Sequence, residues 1–287
     1  NTIGPLWDAN EVWLVLAGGA TFAAFPQWYA TLFSGFYLPL LLILVALIFR
    51  GVAFEFRGKL ENPKWRSAWD ICTFAGSLLP PILFGVAFAN MLKGVPIDGN
   101  MNYTGGFFNL LNLYSLLGGV TFLSISILLG ALFLNLKTGG IVQERAERIA
   151  HTLWIPVLVI LALFLVATNI TSTSTAGIIF TIVSILAGIS GYILYRLKRH
   201  GLSFGLLVLA STANTATIFG ALFPNVMISS LNPDWSLTIY NASSSANTLT
   251  VMSIVVAIFL PLVLAYQAWN YWVFRKRISA KVEELHY

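Results

Sequence analysis

Long apolar runs, each able to cross a membrane as a helix, recur along the whole of this chain of 287 residues. Lipid offers the backbone no hydrogen-bond partner, so an apolar run of ~20 residues in a membrane is expected to be helical. Only 9 % of the residues are charged, against about a quarter in soluble domains. The sequence therefore predicts an all-α polytopic membrane protein, a helix bundle with eight transmembrane helices at residues 5–25, 30–49, 71–92, 107–136, 149–168, 176–195, 202–223 and 248–274.

The spacing of these runs predicts one integral membrane domain over residues 1–287. Residues 1–92 would supply three helices of a first bundle, residues 107–223 a second four-helix bundle, and residues 248–274 a last helix. The longest connection, residues 224–247, is rich in Asn, Pro and Ser, which is typical of irregular structure. We expect it to form an outer cap rather than a separate soluble domain.

Basic residues fix the predicted orientation of the helices. Every Lys and Arg except Lys93 follows the second, fourth, sixth or eighth apolar run. Cytoplasmic connections collect basic residues, so these four segments are predicted to be cytoplasmic, together with both ends of this chain. The net charge of +5 is thereby explained without nucleic-acid binding.

The chain has few side chains that could hold a redox centre. Its histidines are His151, His200 and His286, none of them in the middle of a predicted helix or spaced to share a ligand with another. Met252 has no histidine partner and is interpreted as core packing. We therefore expect no haem or metal bound by this chain alone, and no catalytic residue of its own.

Carboxylates near the predicted inner membrane surface are the strongest candidates for a functional role, because ionisable groups there are costly and usually paired or functional. Asp8 and Glu11 are three residues apart and share a helix face, one to two turns inside the first run. Glu55 falls between Arg50 and Arg57, just past the second predicted helix.

Asp70 begins the third predicted helix four residues after Arg66, a spacing that predicts an ion pair between the two. Two interpretations of the four carboxylates stay open at this point. They form an interfacial charge network that anchors helix ends, or they line the mouth of a proton path that leads from the cytoplasm.

Six segments in chain order carry a family resemblance: GPLWDANEVWL from Gly4, FPQWYA from Phe25, RGVAFEFR from Arg50, WRSAWD from Trp65, and FPNVM and LTIYNASS from Phe223 and Leu237. Together they resemble subunit II of the cytochrome bd-type quinol oxidases. Members of that family have nine helices, so the resemblance implies that the first helix is absent from this sequence.

The resemblance implies a haem-free subunit that pairs with a haem-bearing subunit I in a bacterial or archaeal cytoplasmic membrane. Subunit I would carry two b-type haems and haem d and oxidise quinol at the outer face. Protons for the reduction of oxygen to water would come from the cytoplasm, so turnover would build a proton gradient. The resemblance also allows a small single-helix accessory subunit, with membrane lipid around the complex.

The resemblance also assigns roles to individual residues. It implies a proton path at Asp8 and Glu55, with Trp7 and Arg50 as neighbours of that path. Trp13 matches a position on a hydrophobic oxygen route. Glu11, Arg57 and Asp70 are supporting members of the same charged group.

A secondary transporter and a purely structural membrane subunit are the two alternative classes. A secondary transporter is expected to show paired helix breaks in two repeated halves and charges at the membrane midplane, whereas here the breaks are unpaired and the midplane is uncharged. A purely structural membrane subunit with no proton role is compatible with every feature of the sequence.

Overall fold

The computed structural model describes residues 2–278, and that part of the chain is almost entirely α-helical. Seven helices, α3 to α9, are long and apolar enough to cross a membrane, which confirms the multi-pass α-helical class. The helices of the described residues are α1 (Trp7–Ala24), α2 (Pro26–Gly35), α3 (Tyr37–Phe56), α4 (Pro63–Lys93), α5 (Leu113–Lys137), α6 (Gly140–Thr171), α7 (Thr175–Arg196), α8 (His200–Leu222) and α9 (Ala246–Val273).

The second predicted helix, residues 30–49, is wrong in its bounds because the chain breaks there into α2 and α3. Pro39 has no backbone N–H, and its ring opposes the carbonyl of Gly35, four residues earlier, so one continuous helix is disfavoured. The break falls at Phe36, which is fully buried. A Cβ added to Gly35 would lie 2.7 Å from the ring of Tyr103, so the end of α2 is packed tightly.

Several helices extend beyond the apolar runs that predicted them. α3 continues through Arg50 and Glu55, which therefore lie on a helix rather than in the connection after it. α4 begins at Pro63 instead of residue 71, because Asn62 caps its first turn by accepting a hydrogen bond of 2.9 Å from the Lys64 backbone N–H. Asp70 is consequently in the second turn of α4 and does not begin it. Apolar runs mark the part of a helix that meets lipid, not the polar turns that continue it into water.

The bounds of α5 and α6 also differ from the prediction, each for its own reason. α6 begins at Gly140, nine residues before the predicted residue 149, so His151 lies well inside it. α5 begins later than predicted, at Leu113, because residues 107–110 form a 3-10 turn. Asn112 caps α5 by accepting a hydrogen bond of 3.1 Å from the backbone N–H of Ser115.

The core lies mainly between α4 and α8. Trp154, Leu161 and Leu207 are buried among α5 to α8. Small residues let α4 and α5 approach closely, since a Cβ on Gly118 would lie 2.7 Å from the carbonyl oxygen of Gly85. Packing of this kind gives membrane helices rigid contacts without a hydrophobic driving force between them.

α9 lies at the edge of the structure and has no buried residue. Two hydrogen bonds join its end to the start of the chain, from the Asn270 side chain to the Pro5 carbonyl at 3.5 Å and from the Tyr271 hydroxyl to Asn10 at 3.3 Å. Met252 on α9 is partly buried but not part of the buried core, so its interpretation as core packing does not hold within the described residues. The helix that carries it presents its apolar side chains outward.

The connections sort onto two faces of the bundle. On one face, residues 94–106 and 224–245 form a cap that includes strands β1 (Asn225–Met227) and β2 (Leu237–Thr238), and the Ser229 hydroxyl donates to the Ile97 carbonyl at 2.7 Å. On the other face, the backbone N–H of Ile278 after α9 donates to the carbonyl of Lys137 at the end of α5, at 2.8 Å. The basic segments therefore share one side of the bundle, called here the basic face.

Candidate functional site

An ion pair joins α1 to α3 close to the basic face. Nη2 of Arg50 lies 2.6 Å from Oε1 of Glu11, and the two side chains are 24 % and 22 % exposed. Nε of Arg50 is buried and has no hydrogen-bond partner among residues 2–278. Glu11 is thus paired with the partly buried guanidinium of Arg50, whose Nε–H donates to no partner among residues 2–278.

A second ion pair joins the end of α3 to α4. Nε and Nη2 of Arg57 donate to the two carboxylate oxygens of Asp70 at 2.5 and 3.1 Å. These side chains are 50 % and 55 % exposed, so solvent screens the pair and its contribution to stability is small. The hydrogen bond to Asp70 raises the pKa of Arg57 above its ordinary value.

An open cleft of about 410 Å³ lies beside these two pairs and is called here the α3–α4 cleft. Glu55 lines it and is exposed, and in the described part of the chain Glu55 forms no ion pair. Arg50 lies five residues before Glu55 on α3, about 7.5 Å along the helix axis at 1.5 Å per residue. The full lining comprises Thr2, Ile3, Gly4, Trp7, Ala53, Phe54, Glu55, Arg57, Asp70 and Thr73.

Trp7 forms one wall of the α3–α4 cleft. Its ring packs on Phe54 at a centroid distance of 5.4 Å, tilted by 60°. A Cβ on Gly51 would lie 3.2 Å from the Trp7 ring, so the indole sits against the bare backbone of α3. The tryptophan predicted to neighbour the charged group therefore contacts α3 one turn from Glu55.

Asp8 does not line the cleft, although its neighbour Trp7 does. α1 begins at Trp7, so Asp8 is in the first turn of the helix and not one to two turns inside it as predicted. Asp8 is exposed, does not line the cleft and has no ion pair among residues 2–278. A carboxylate in a first turn also interacts favourably with the helix dipole. Trp13, further along α1, is half-buried and lies outside the cleft.

The expected pairing of Asp70 with Arg66 is wrong. Asp70 pairs with Arg57, 13 residues away, and not with Arg66 on its own helix. Glu55 pairs with neither Arg50 nor Arg57, because each of these arginines is bound to another carboxylate.

The charged residues consequently divide into two groups. One group forms two separate ion pairs between helices, Glu11 with Arg50 and Asp70 with Arg57. Asp8 and Glu55 take part in neither pair in the described residues.

Several residues of the site were missed by the sequence reasoning. Gly51 and Phe54 seat Trp7, and Thr73 and residues 2–4 complete the lining of the cleft. Gly51 carried a usable signal, since a glycine inside a helix costs stability and often marks a close contact. The sequence gives no signal that Thr73 and residues 2–4 line the cleft, because their position depends on how α1 and α4 pack on α3.

Metal-ligating side chains do not cluster in residues 2–278, where no group of three His, Cys, Asp or Glu is placed to hold an ion. Nδ1 of His200 lies 3.5 Å from Nδ2 of Asn135, and its ring packs edge-on against Tyr195 at 5.5 Å. His151 is exposed on α6, and His286 lies outside the described residues.

Fold and site together define a class: a polytopic α-helical membrane protein with two interhelical ion pairs and an open cleft lined by Glu55 near its basic face. The family model described as "Cytochrome bd terminal oxidase subunit II" matches residues 1–274. The chain belongs to this family, and it is therefore a component of a membrane oxidase, an oxidoreductase. The predicted family and enzyme class are confirmed.

Relatives support the same assignment. The cytochrome bd ubiquinol oxidase subunit 2 of Bacillus subtilis (strain 168) is 43 % identical over 286 residues, which cover 98 % of this chain and 85 % of the relative. The cytochrome bd-I ubiquinol oxidase subunit 2 of Escherichia coli (strain K12) is 36 % identical over an alignment of 326 positions. The alignment covers 97 % of this chain and 84 % of the relative.

A solved structure supports the fold. The structure of bd oxidase from Geobacillus thermodenitrificans matches with a TM-score of 0.74, covering 94 % of this chain and 83 % of that one. The sequences of the two chains are 16 % identical, so this likeness bears on the fold alone.

Proposed function

We propose that this chain is the haem-free subunit II of a cytochrome bd-type quinol:oxygen oxidoreductase and that it helps to supply cytoplasmic protons for the reduction of oxygen to water. Both relatives described above are named as subunits of ubiquinol oxidases. The observation that carries the proton role is Glu55, an exposed carboxylate that lines an open cleft within two turns of the partly buried Glu11–Arg50 pair.

We propose that the haems lie on the partner subunit, because the α3–α4 cleft offers no histidine or methionine to bind one. A haem in a membrane bundle needs axial ligands such as histidine or methionine. The lining of the α3–α4 cleft contains neither. Redox chemistry and quinol oxidation are therefore placed on subunit I, and this chain acts through protons and packing.

The surface that meets subunit I is proposed to include α1 and α9. Neither helix has a buried residue in this chain, although α9 has 28 residues and α1 has 18. Their exposed apolar side chains include Val12, Val15, Ile254 and Leu262. A large helical partner would cover one side of this surface, and lipid or a small single-helix subunit would cover the rest.

The proton path is proposed to begin at the basic face, which we assign to the cytoplasm because basic connections are retained there. Asp8 and Glu55 would take up protons from water at the surface. Glu11 lies one turn further along α1 than Asp8 and is paired with Arg50. A proton that reaches this pair is poised to pass along the interface with subunit I.

Two finer assignments belong to the same proposal. We assign α1 as an eighth crossing: its 18 residues are enough, and its polar first turns, with Asp8, Asn10 and Glu11, lower its mean hydropathy. We also propose that all the helices form one membrane domain. Helices α1 to α4 form one part of it and α5 to α8 the other, and α9 lies beside α1. Labelling of single cysteines at Gly4 and Gln27 from either side of a sealed vesicle tests the crossing; labelling of both from one side would contradict it.

Purification tests the partner assignment. The tagged chain, extracted in mild detergent, is expected to retain a second polypeptide whose dithionite-reduced minus oxidised spectrum shows b-type bands and the red-shifted band of haem d. A colourless preparation from cells with active oxidase, or haem bound by this chain after the partner is removed, would contradict it.

The Asp8→Asn variant tests the proton role and separates it from a purely structural subunit. We expect lower oxidase turnover with unchanged assembly and haem spectra, because the amide cannot exchange protons. Glu61→Gln, an exposed carboxylate in the α3–α4 connection, is the matched control and should keep full turnover. Full turnover in Asp8→Asn would remove Asp8 from the path.

A further inference from the structure

A second cleft, of about 320 Å³, lies on the basic face between the ends of α6 and α7 and plays no part in the proton role described above. Its lining comprises Glu147, Arg148, His151, Tyr195, Arg196 and Lys198. Three of these are permanent cations, against the single carboxylate of Glu147. The two ion pairs found in residues 2–278 lie elsewhere, so the lining of this α6–α7 cleft keeps an excess of positive charge over the one carboxylate of Glu147.

The floor of the α6–α7 cleft is rigid. Tyr195 is 5 % exposed, and its hydroxyl donates to the backbone carbonyl of Glu147 at 2.9 Å, which ties α7 to α6. The ring of the buried Trp154 packs against Tyr195 with 6.1 Å between centroids. A charged ligand would therefore meet a site whose walls are already in place, which lowers the entropic cost of binding.

Two cations are held at the rim of this cleft. Nη1 of Arg196 donates to the Tyr192 hydroxyl at 3.2 Å, which orients the guanidinium. Lys198 has a φ of 58°, in the left-handed region, at the turn that ends α7. Glycine usually occupies this position because it has no Cβ, so a lysine here adds strain to a turn that carries charge.

Apolar side chains continue from the cleft toward the membrane interior. Ile155 on α6, one turn beyond His151, is 56 % exposed, and Ile193 on α7 is 52 % exposed. A ligand with a phosphate group at the surface and hydrocarbon chains below it would contact both parts. Basic pockets between transmembrane helices at the cytoplasmic side are suited to anionic lipid headgroups.

We propose that the α6–α7 cleft binds the phosphate headgroup of an anionic phospholipid, with its acyl chains along the exposed isoleucines of α6 and α7. Arg148, Arg196 and Lys198 supply the charge, and Tyr195 holds the two helices at the spacing that the headgroup requires. Because the site is remote in sequence from Asp8 and Glu55, its occupancy can be measured independently of turnover.

The test uses the full chain, purified with the partner it retains and stripped of lipid. Binding of dioleoyl phosphatidylglycerol and dioleoyl phosphatidylcholine is measured by native mass spectrometry, with sn-glycerol 3-phosphate as the soluble probe. The variant Arg148→Gln/Arg196→Gln/Lys198→Gln should bind the anionic lipid at least about tenfold more weakly, since each basic residue near the surface contributes to the attraction. Binding of the zwitterionic lipid should not change.

The matched control, Lys59→Gln/Lys64→Gln/Arg66→Gln, removes the same charge from the same face outside the cleft, and we expect it to keep the wild-type affinity within about twofold, or about 0.4 kcal/mol. The variant Arg148→Lys/Arg196→Lys keeps the charge and should retain most of the binding, which guards against misfolding of the neutral variant. Equal losses in both neutral triples would show diffuse surface attraction and overturn the proposal. Binding of glycerol phosphate as tight as that of the lipid would overturn it too, in favour of a soluble phosphate ester.

Discussion

Nη2 of Arg50 on α3 lies 2.6 Å from Oε1 of Glu11 on α1, and this ion pair joins α1 to α3. The two residues are 39 positions apart in the sequence. Because both side chains are more than three-quarters buried, loss of either partner leaves a poorly solvated charge rather than a free surface residue.

Replacement of Glu11 by Gln is expected to lower the free energy of unfolding by about 1–3 kcal/mol, since Arg50 would keep its charge without its counter-ion. The thermal midpoint of the purified complex measures the change. In the double variant Glu11→Gln/Arg50→Gln, part of the loss should return, because no unpaired charge remains. Additive losses would mean that the pair contributes nothing specific.

The exposed pair Arg57–Asp70 should behave differently. Asp70→Asn is expected to change stability by no more than about 1 kcal/mol, because water and salt screen both groups. Comparing thermal midpoints at low and high ionic strength checks this: the wild type should lose the small advantage as salt rises. A loss comparable to that of Glu11→Gln would contradict the screening argument.

Gly76 sets how closely α3 and α4 pack behind the charged residues. A Cβ at this position would lie 2.6 Å from Cβ of Arg50, so Gly76→Ala should push the helices apart and destabilise the fold by about 1–3 kcal/mol. Gly130→Ala on α5 is the control, because a Cβ there meets no atom within 4 Å. If both variants melt at the wild-type temperature, the close approach of α3 and α4 is not required.

The sequence was informative wherever one segment determined its own structure. Crossing-length apolar runs predicted helices that became α4 to α9, and the alternation of basic segments anticipated a single basic face. The break at Phe36 was not predictable from Pro39 alone, since Pro80, Pro156 and Pro261 lie inside continuous helices. Helix ends were less accessible, because caps such as Asn62 start a helix in water, before the apolar run begins.

The pairing of charges could not be predicted from the sequence. Asp70 has Arg66 one turn away on its own helix, yet it binds Arg57, which the end of α3 brings closer. The choice depends on the packing of two helices, and no local spacing encodes it. The same limit hid the fact that Glu55 lines the α3–α4 cleft whereas Asp8 does not.

Glu55, exposed in the α3–α4 cleft and outside both ion pairs, is proposed to take up protons for oxygen reduction. Oxygen consumption in the complex carrying Glu55→Gln tests this role most directly, beside Glu61→Gln as the control, with haem spectra recorded for each. Turnover should be at least about tenfold lower in Glu55→Gln alone, with unchanged haem bands, in line with the loss of a proton-transfer group. Wild-type turnover in Glu55→Gln would contradict it.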